Sequence, residues 1–261
     1  MGSSARRQSA AYSVPALEKG LDILEALAAS HEPQSLSDLA RTLGRSSSEL
    51  FRAMSSLEKR AYVIKDTASG RYRLSLKLYE LAHIHPPVEQ LLRAAAEPMR
   101  KLADSLRQSC HLSVLSQGRL VVLAEAGSPE PIRLSIAVGS GFSAMHTASG
   151  RLLLATMAEG DRRKFLEKDP DFLQQSASQK RRLRALLGRI RKAGYSTVEN
   201  ETFMGIRDVA VPVGNTRIGL SAALDVSSWI VPGKRFEIDQ VLKVLQRCAR
   251  RITKSMGVTH P

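Results

Sequence analysis

Along the first seventy positions, apolar residues recur at helical spacing between short polar breaks. Leu17, Leu21, Leu24 and Ala28 fall three to four residues apart and predict an amphipathic helix stopped at Ser30-His31-Glu32-Pro33. Ser35 stands three residues before Asp38, the spacing of a capping box, and Leu36, Leu39, Ala40 and Leu43 follow at i, i+3, i+4 and i+7. A second, short helix is expected there. Gly44 comes next, where a left-handed turn is least strained without a Cβ, and Ser46 with Glu49 forms another capping box. In the helix it opens, Leu50, Ala53, Met54 and Leu57 make the buried stripe, so the opposite face carries Ser48, Arg52 and Ser55. Phe51 lies at the edge of that face and Ser47 in its first turn. Tyr62-Val63-Ile64 and Tyr72-Arg73-Leu74 are β-prone runs around the polar turn 65–70 and predict a hairpin. Alternation turns Tyr62, Ile64, Tyr72 and Leu74 inward and Lys65, Arg71 and Arg73 outward.

The pattern then changes. After Pro86-Pro87, the residues Val88, Leu91, Leu92, Ala95, Met99, Leu102 and Leu106 mark a helix, and Pro98 within it predicts a kink or break near Ala96-Glu97. Runs 112–115 and 120–123 flank Gln117-Gly118-Arg119 as a hairpin, and Ile132 to Val138 reads as another strand. Helical patterns occupy Thr147 to Met157 and Leu183 to Lys192. Val209 to Val213 and Ile218 to Val226 flank Gly214-Asn215-Thr216-Arg217 as a second hairpin ahead of a C-terminal helix. Strand pairs mixed with helices point to an α+β fold with an antiparallel sheet. The expected organisation is one domain over 14–80, a helical linker over 81–108, and a second domain over 109–256.

Composition narrows the partners. A chain of 261 residues with 43% hydrophobic content suits two packed domains. It has no apolar run near the ~18 residues of a membrane span, and its polar, basic start lacks the apolar core of a signal peptide. A cytoplasmic protein with no membrane partner is expected. Cys110 and Cys248 have no metal-ligand or redox spacing, and His83 with His85 lacks a third ligand nearby, so no metal or other cofactor is expected. The net charge of +14 points to a polyanion. Its excess is +3 over residues 1–85 (12 Lys/Arg, 9 Asp/Glu) and +11 over 86–261 (27 and 16). The densest basic run, Lys180 to Lys192, interleaves with Leu183, Leu186, Leu187 and Ile190, as in a solvated helix face or a contact to DNA or membrane. No Gly-x-Ser-x-Gly elbow, phosphate loop or His-Glu-x-x-His motif occurs, and the chain does not read as an enzyme.

Three capped helices followed by a basic hairpin make a winged helix-turn-helix, a reader of double-stranded DNA. Its candidate contacts are Ser47, Ser48, Phe51, Arg52 and Ser55 on the third helix and Lys65, Arg71 and Arg73 on the wing. Arg52 is placed for a bidentate guanine contact or a phosphate clamp, the alternative being a solvated or internally paired side chain. An architectural DNA binder without a small-molecule ligand would share these features, although it has no use for a large C-terminal domain.

The chain resembles the IclR-type bacterial transcriptional regulators. The likeness is carried by Val14 to Leu24, Leu39-Ala40-Arg41-Thr42-Leu43-Gly44, Arg52 with Leu57, and Gly70-Arg71-Tyr72-Arg73-Leu74. It continues through Pro131 to Ser135, Val138-Gly139-Ser140, His146 to Arg151 and Gly205 to Val213. The recognition helix departs from the family pattern, reading Arg45-Ser46-Ser47-Ser48-Glu49-Leu50-Phe51-Arg52, which puts the operator sequence beyond transfer. The resemblance implies a homodimer, paired into a homotetramer in some members, that commonly represses a catabolic operon and answers a metabolite. Some members activate instead.

It also implies a GAF-like C-terminal domain whose effector cup lies between the sheet and the loop 139–147. The matching positions are Phe142, Ala144, Met145, His146, Thr147, Asp208, Ala210, Leu220 and Ala222. A helix starting near Thr147 would aim free N–H groups into the cup and favour a carboxylate or carbonyl oxygen. Asp208 stands where relatives commonly have cysteine; ionised in the cup, it would favour a hydroxyl, amine or aldehyde, and otherwise it turns to solvent or pairs with Arg207 or Arg133. A carboxylate, aldehyde or aromatic metabolite is the expected effector, with Phe142 and Trp229 either stacking on it or packing the core.

Overall fold

The computed structural model describes residues 14–83, 86–215, 220–231, 233 and 236–256; the side chains of Ala82, His83, Pro86, Asn215 and Leu220 lie outside what is described. The chain divides between His85 and Pro86 into two compact units.

The first unit packs α1 (Pro15–Ala29), α2 (Leu36–Thr42) and α3 (Ser47–Lys59) with the hairpin β1 (Val63–Lys65) and β2 (Tyr72–Leu74), followed by α4 (Lys77–His83). Both capping boxes form: Ser35 accepts from the Asp38 N–H, Ser46 from that of Glu49, and each acid accepts from its cap's N–H in return. Gly44, at φ +62°, ends α2. There the Arg45 N–H donates to Ala40 O and the Gly44 N–H to Arg41 O, satisfying two orphan carbonyls in a Schellman turn.

Two expectations about facing change. In α1 the core takes Ile23 and Leu27, while Leu17, Leu21 and Ala28 are exposed. This helix is apolar on more than one side, and its C-terminal half is the part that meets the core. In the hairpin Val63 is buried and Ile64 exposed, because Val63 pairs with Leu74 and Ile64 with Arg73. Ala61, at φ +61°, turns the chain just before the strand and shifts the face by one residue.

The second unit is a six-stranded antiparallel sheet in the order β5-β4-β3-β8-β7-β6. Its strands are β3 (Ser109–Ser116), β4 (Arg119–Ala126), β5 (Gly141–Phe142), β6 (Ser196–Glu199), β7 (Ile206–Asn215) and β8 (Leu220–Trp229). One face is covered by α5 (Pro86–Leu106) and α10 (Ile238–Ser255), with Leu91, Ala95, Met99, Leu245 and Ile252 buried against Cys110, Leu112 and Leu224. The other face carries α6 (Ala148–Thr156) and α9 (Ala177–Ala193), joined by α7 (Glu159–Leu166) and α8 (Pro170–Gln174). In α9, Leu183, Leu187 and Ile190 are buried while Arg181, Arg182, Arg184, Arg189, Arg191 and Lys192 face solvent.

Two local expectations are corrected. α5 runs through Pro98 as a single helix. Pro98 removes one backbone donor, and burial of Leu91, Ala95, Met99 and Leu102 on one stripe holds both halves to the sheet. Ile132 to Val138 forms no strand: the segment follows β4 without a ladder, tied by the Gly139 N–H to Val122 O and by Ser109 Oγ to Leu134 O at 2.5 Å.

Candidate functional site

The exposed face of α3 carries Ser47, Ser48, Phe51, Arg52 and Ser55 together, with Leu50 and Met54 buried behind them. Phe51 stands 59% exposed. Arg52 makes no ion pair among the described residues, so its guanidinium is available to a ligand. Glu49 shares the first turn with Ser47; its hydrogen bonds from Ser46 hold the carboxyl below its usual range, and it lies 3.8 Å from Lys19. That negative charge opposes a phosphate at this helix start.

On the wing, Lys65 and Arg73 are exposed, with the Lys65 ammonium over the Tyr72 ring. Arg71 is engaged at home: its Nη1 donates to Pro33 O at 3.0 Å and lies 3.5 Å from Asp38 Oδ2. It fastens the wing to the start of α2.

In the second unit, the sheet face beneath α6 bears a polar stripe. On β8, Asp225 pairs with His111 of β3 on one side and Ala210 of β7 on the other, and Ser227 pairs with Ser109 and Asp208. Above this stripe lies a cavity of about 260 Å³, walled by apolar groups including Leu120, Val122, Ile136, Phe142 and Ile206. His111, Ser113, Ser149, Asp208, Asp225 and Ser227 form its polar floor. Thr202 and Phe203 line it from the loop between β6 and β7. That loop is pinned where Thr202 Oγ1 donates to His146 O at 3.0 Å and where Arg151 bridges Met145 O and Glu201.

The floor holds two hydrogen-bonded groups. Ser149 Oγ donates to Asp225 Oδ1 at 2.8 Å, His111 Nδ1 lies 3.4 Å from Asp225 Oδ2, and Ser227 Oγ donates to Asp208 Oδ1 at 2.6 Å. His111 Nε2 finds no hydrogen-bond partner; the nearest carboxylate oxygen in an ion pair with it is Glu125 Oε1, 3.9 Å away. Desolvation, reinforced by the charge of Asp225, pushes Asp208 up to about 6 against the Ser227 hydrogen bond. Burial works against a charged His111, but the Asp225 hydrogen bond and the charges of Asp225, Glu125 and Asp208 outweigh it, and its pKa is raised.

Of the positions matched to the effector cup, Phe142, Thr147 and Asp208 line the cavity. Ala144, Met145 and Ala210 are buried in the core on the same side of the sheet. His146 is exposed, its ring 3.9 Å from Asp171. Ala222 faces the opposite way, packed toward α5 and α10, and Ala223 takes the cavity side. The Leu220 side chain, like that of His83 and all of His85, lies outside the described residues. Asp208 pairs with neither arginine: Arg207 points to the other face, bonded to Glu199 at 2.5 Å and stacked on Phe236. Trp229 is 46% exposed and does not line the cavity. Sequence reasoning missed His111, Ser149, Asp225 and Ser227. The signal for all but Ser149, which lies on α6, was a period-two polar stripe in apolar strands, His111 and Ser113 on β3 and Asp225 and Ser227 on β8.

Comparison with known proteins covers both units. Residues 16–67 match the model of the IclR helix-turn-helix domain, and residues 88–254 match the bacterial transcriptional regulator IclR C-terminal domain. The chain is 26% identical to the HTH-type transcriptional regulator KdgR of Escherichia coli, covering 94% of each chain. It is 25% identical to the glycerol operon regulatory protein of Streptomyces coelicolor, covering 95% of this chain and 98% of the relative. Among solved structures, an IclR homologue complexed with 4-hydroxybenzoate from Microbacterium hydrocarbonoxydans shares the fold at a TM-score of 0.76 and 21% identity, over 94% of this chain and 100% of that one.

Proposed function

The chain belongs to the IclR family of bacterial transcriptional regulators, and from that membership we propose that it is an effector-responsive repressor of a catabolic operon. DNA-binding transcription regulation is common to its relatives. The finer reading rests on one observation: the same chain carries a winged helix with an unpaired Arg52 on its reading face and a second unit with an apolar cavity over a floor of hydrogen-bonded, titratable groups. A mostly apolar cavity with a few convergent polar groups is the usual form of a small-molecule site. A protein that only wrapped DNA would have no use for it.

In this reading α3 enters the major groove, Arg52 contacts base edges or phosphate, and Lys65 and Arg73 touch the neighbouring backbone. A homodimer presents two such heads to a near-palindromic operator, and a tetramer is the larger assembly. The protein acts in the cytoplasm; no described helix is long and apolar enough to cross a membrane. A small organic metabolite in the cavity favours a state with weaker operator affinity, and transcription resumes. The same parts serve an activator if the ligand-bound state binds DNA more tightly. Fluorescence anisotropy of the chain's own upstream DNA at fixed salt, with and without small metabolites, tests the reading. Selective binding relieved by one compound supports the repressor. Binding strengthened by one compound makes the protein an activator, and salt-sensitive binding without sequence preference or compound effect overturns both.

A further inference from the structure

The floor of the cavity is acidic, and His111 is its one basic side chain among the described residues. Among the described residues no Lys or Arg lines the cavity, whereas Asp208 and Asp225 both do, with Glu125 behind His111. The register fixes how the two aspartates meet. Asp208 pairs with Ser227 and Ala210 with Asp225, so the carboxylates are diagonal neighbours on one face of adjacent strands. Such neighbours lie about 7–8 Å apart between backbones, close enough for both side chains to reach a single small cation.

The feature that would draw an anion here is already answered by the protein. The first turn of α6 could offer N–H groups to a ligand carboxylate, but Ser149 in that turn donates its hydroxyl to Asp225, and Thr147 Oγ1 accepts from the Gly150 N–H. Asp225 thus brings a built-in negative charge to the helix start, and a second carboxylate from a ligand would be repelled.

We propose that this cavity takes a small organic amine, its ammonium seated between Asp208 and Asp225 and its apolar body lying against Leu120, Val122, Phe142 and Ile206. The inference rests on reading the cavity as the effector site. A separate observation supports it: the wholly buried His111, a cavity-lining residue, has an Nε2 for which the protein supplies no hydrogen-bond partner. Nδ1 faces Asp225, so Nε2 is the ring nitrogen left open to a ligand. Burial first and then the Asp225 charge oppose ionisation of Asp208, while the Asp225 hydrogen bond and the nearby carboxylates raise the affinity of His111 for a proton, and among the described residues no Lys or Arg stands by as their counter-ion. An ammonium supplies that counter-ion together with three donors, and charge-assisted bonds of this kind are the strong ones. Sequence reasoning left both a carboxylate and, through Asp208, an amine open; the charge of the built site argues for the amine.

The test uses the full-length protein and three probes of one shape, benzylamine, benzyl alcohol and benzoate, titrated by calorimetry at pH 7.5. Phenethylamine extends the amine series by one methylene. An amine should bind at least tenfold tighter than the alcohol, and benzoate should be weakest. Asp208→Asn should cut the preference for amine over alcohol several-fold, the remainder coming from Asp225. Benzoate binding as tightly as the amines, no binding by either amine, or an amine preference undiminished by Asp208→Asn overturns the proposal. Operator anisotropy with the same compounds separates the two readings. A carboxylate that binds and releases DNA ends the amine assignment and keeps the regulator. An amine that binds without altering DNA affinity upholds the assignment and ends the effector role.

Discussion

Ser149 Oγ donates a 2.8 Å hydrogen bond to Asp225 Oδ1, tying the first turn of α6 to the middle of β8 across the floor of the cavity. Both residues are buried, and among the described residues His111 is the other side chain within hydrogen-bond distance of the Asp225 carboxylate. Ser149→Ala leaves a buried anionic oxygen without its donor, at a cost of about 1–3 kcal/mol. The urea midpoint of the second unit's transition should fall accordingly, while DNA affinity without ligand changes little. An unchanged midpoint would mean that solvent reaches Asp225 and that the network does not brace α6.

Gly150 sets the roof of the cavity. A Cβ on it would stand 2.4 Å from Ala144 O and 2.5 Å from Ala144 Cα, contacts that only movement of the backbone can relieve. The loop through Ala144 and the start of α6 therefore approach as closely as they do because no side chain intervenes. Gly150→Ala should destabilise the second unit by about 1–3 kcal/mol, as overpacking does. Differential scanning calorimetry reads this directly. Gly160, with nothing within 4 Å of a Cβ, is the control, and Gly160→Ala should be neutral or slightly stabilising.

Much of this layout was legible in the sequence, and the parts that were not share a cause. The helix caps at Ser35 and Ser46 and the turn at Gly44 are local chemistry, and local chemistry is written in consecutive residues. Facing in strands is not local. Ile64 and Ala222 were each assigned to the wrong side by a slip of one position, since a strand's two faces exchange with every residue and only partner strands fix which is inward. Asp225 and Ser227 would have fixed β8 correctly, because two polar residues at period two in an apolar strand must face a common polar environment. The meeting of His111 with Asp225, 114 positions later, is long-range and had no signal beyond the matching stripe on β3.

The same network makes stability depend on pH. Asp208 sits near 6, above the 3.8 of a free aspartate, so between about pH 4 and 6 the folded state holds a proton that the unfolded chain has lost. Stability therefore falls as pH rises through that window. His111, raised above 6.5, adds in the same direction: its contribution is full below 6.5 and is lost as pH climbs through the folded value. Thermal melts from pH 5 to 8 should show the second unit's Tm falling with pH. Asp208→Asn should flatten the lower part of that slope and stabilise the fold at pH 7.5 by about 1–3 kcal/mol, with a matching rise in Tm. A Tm that rises over this range would contradict the assigned directions for both groups.

Arg52 and Arg71 should separate on two measurements although both lie on the DNA-reading unit. Arg52 is exposed on α3 with no ion pair among the described residues, so Arg52→Ala should leave the fold intact and weaken operator binding by about 10–100-fold. If it reads a base, the loss is confined to the operator and affinity for unrelated DNA is little changed. If it clamps a phosphate, both weaken together and the slope of log affinity against log salt falls by about one. Arg71 donates to Pro33 O and lies beside Asp38, so its task is to hold the wing on α2. Arg71→Ala should lower the first unit's Tm by a degree or two and weaken DNA binding mainly through a loosened wing. Tethering the wing by an engineered disulfide would then restore the affinity. Failure of that rescue with Tm unchanged would assign Arg71 to the DNA backbone instead, in the role that its outward position in the sequence first suggested.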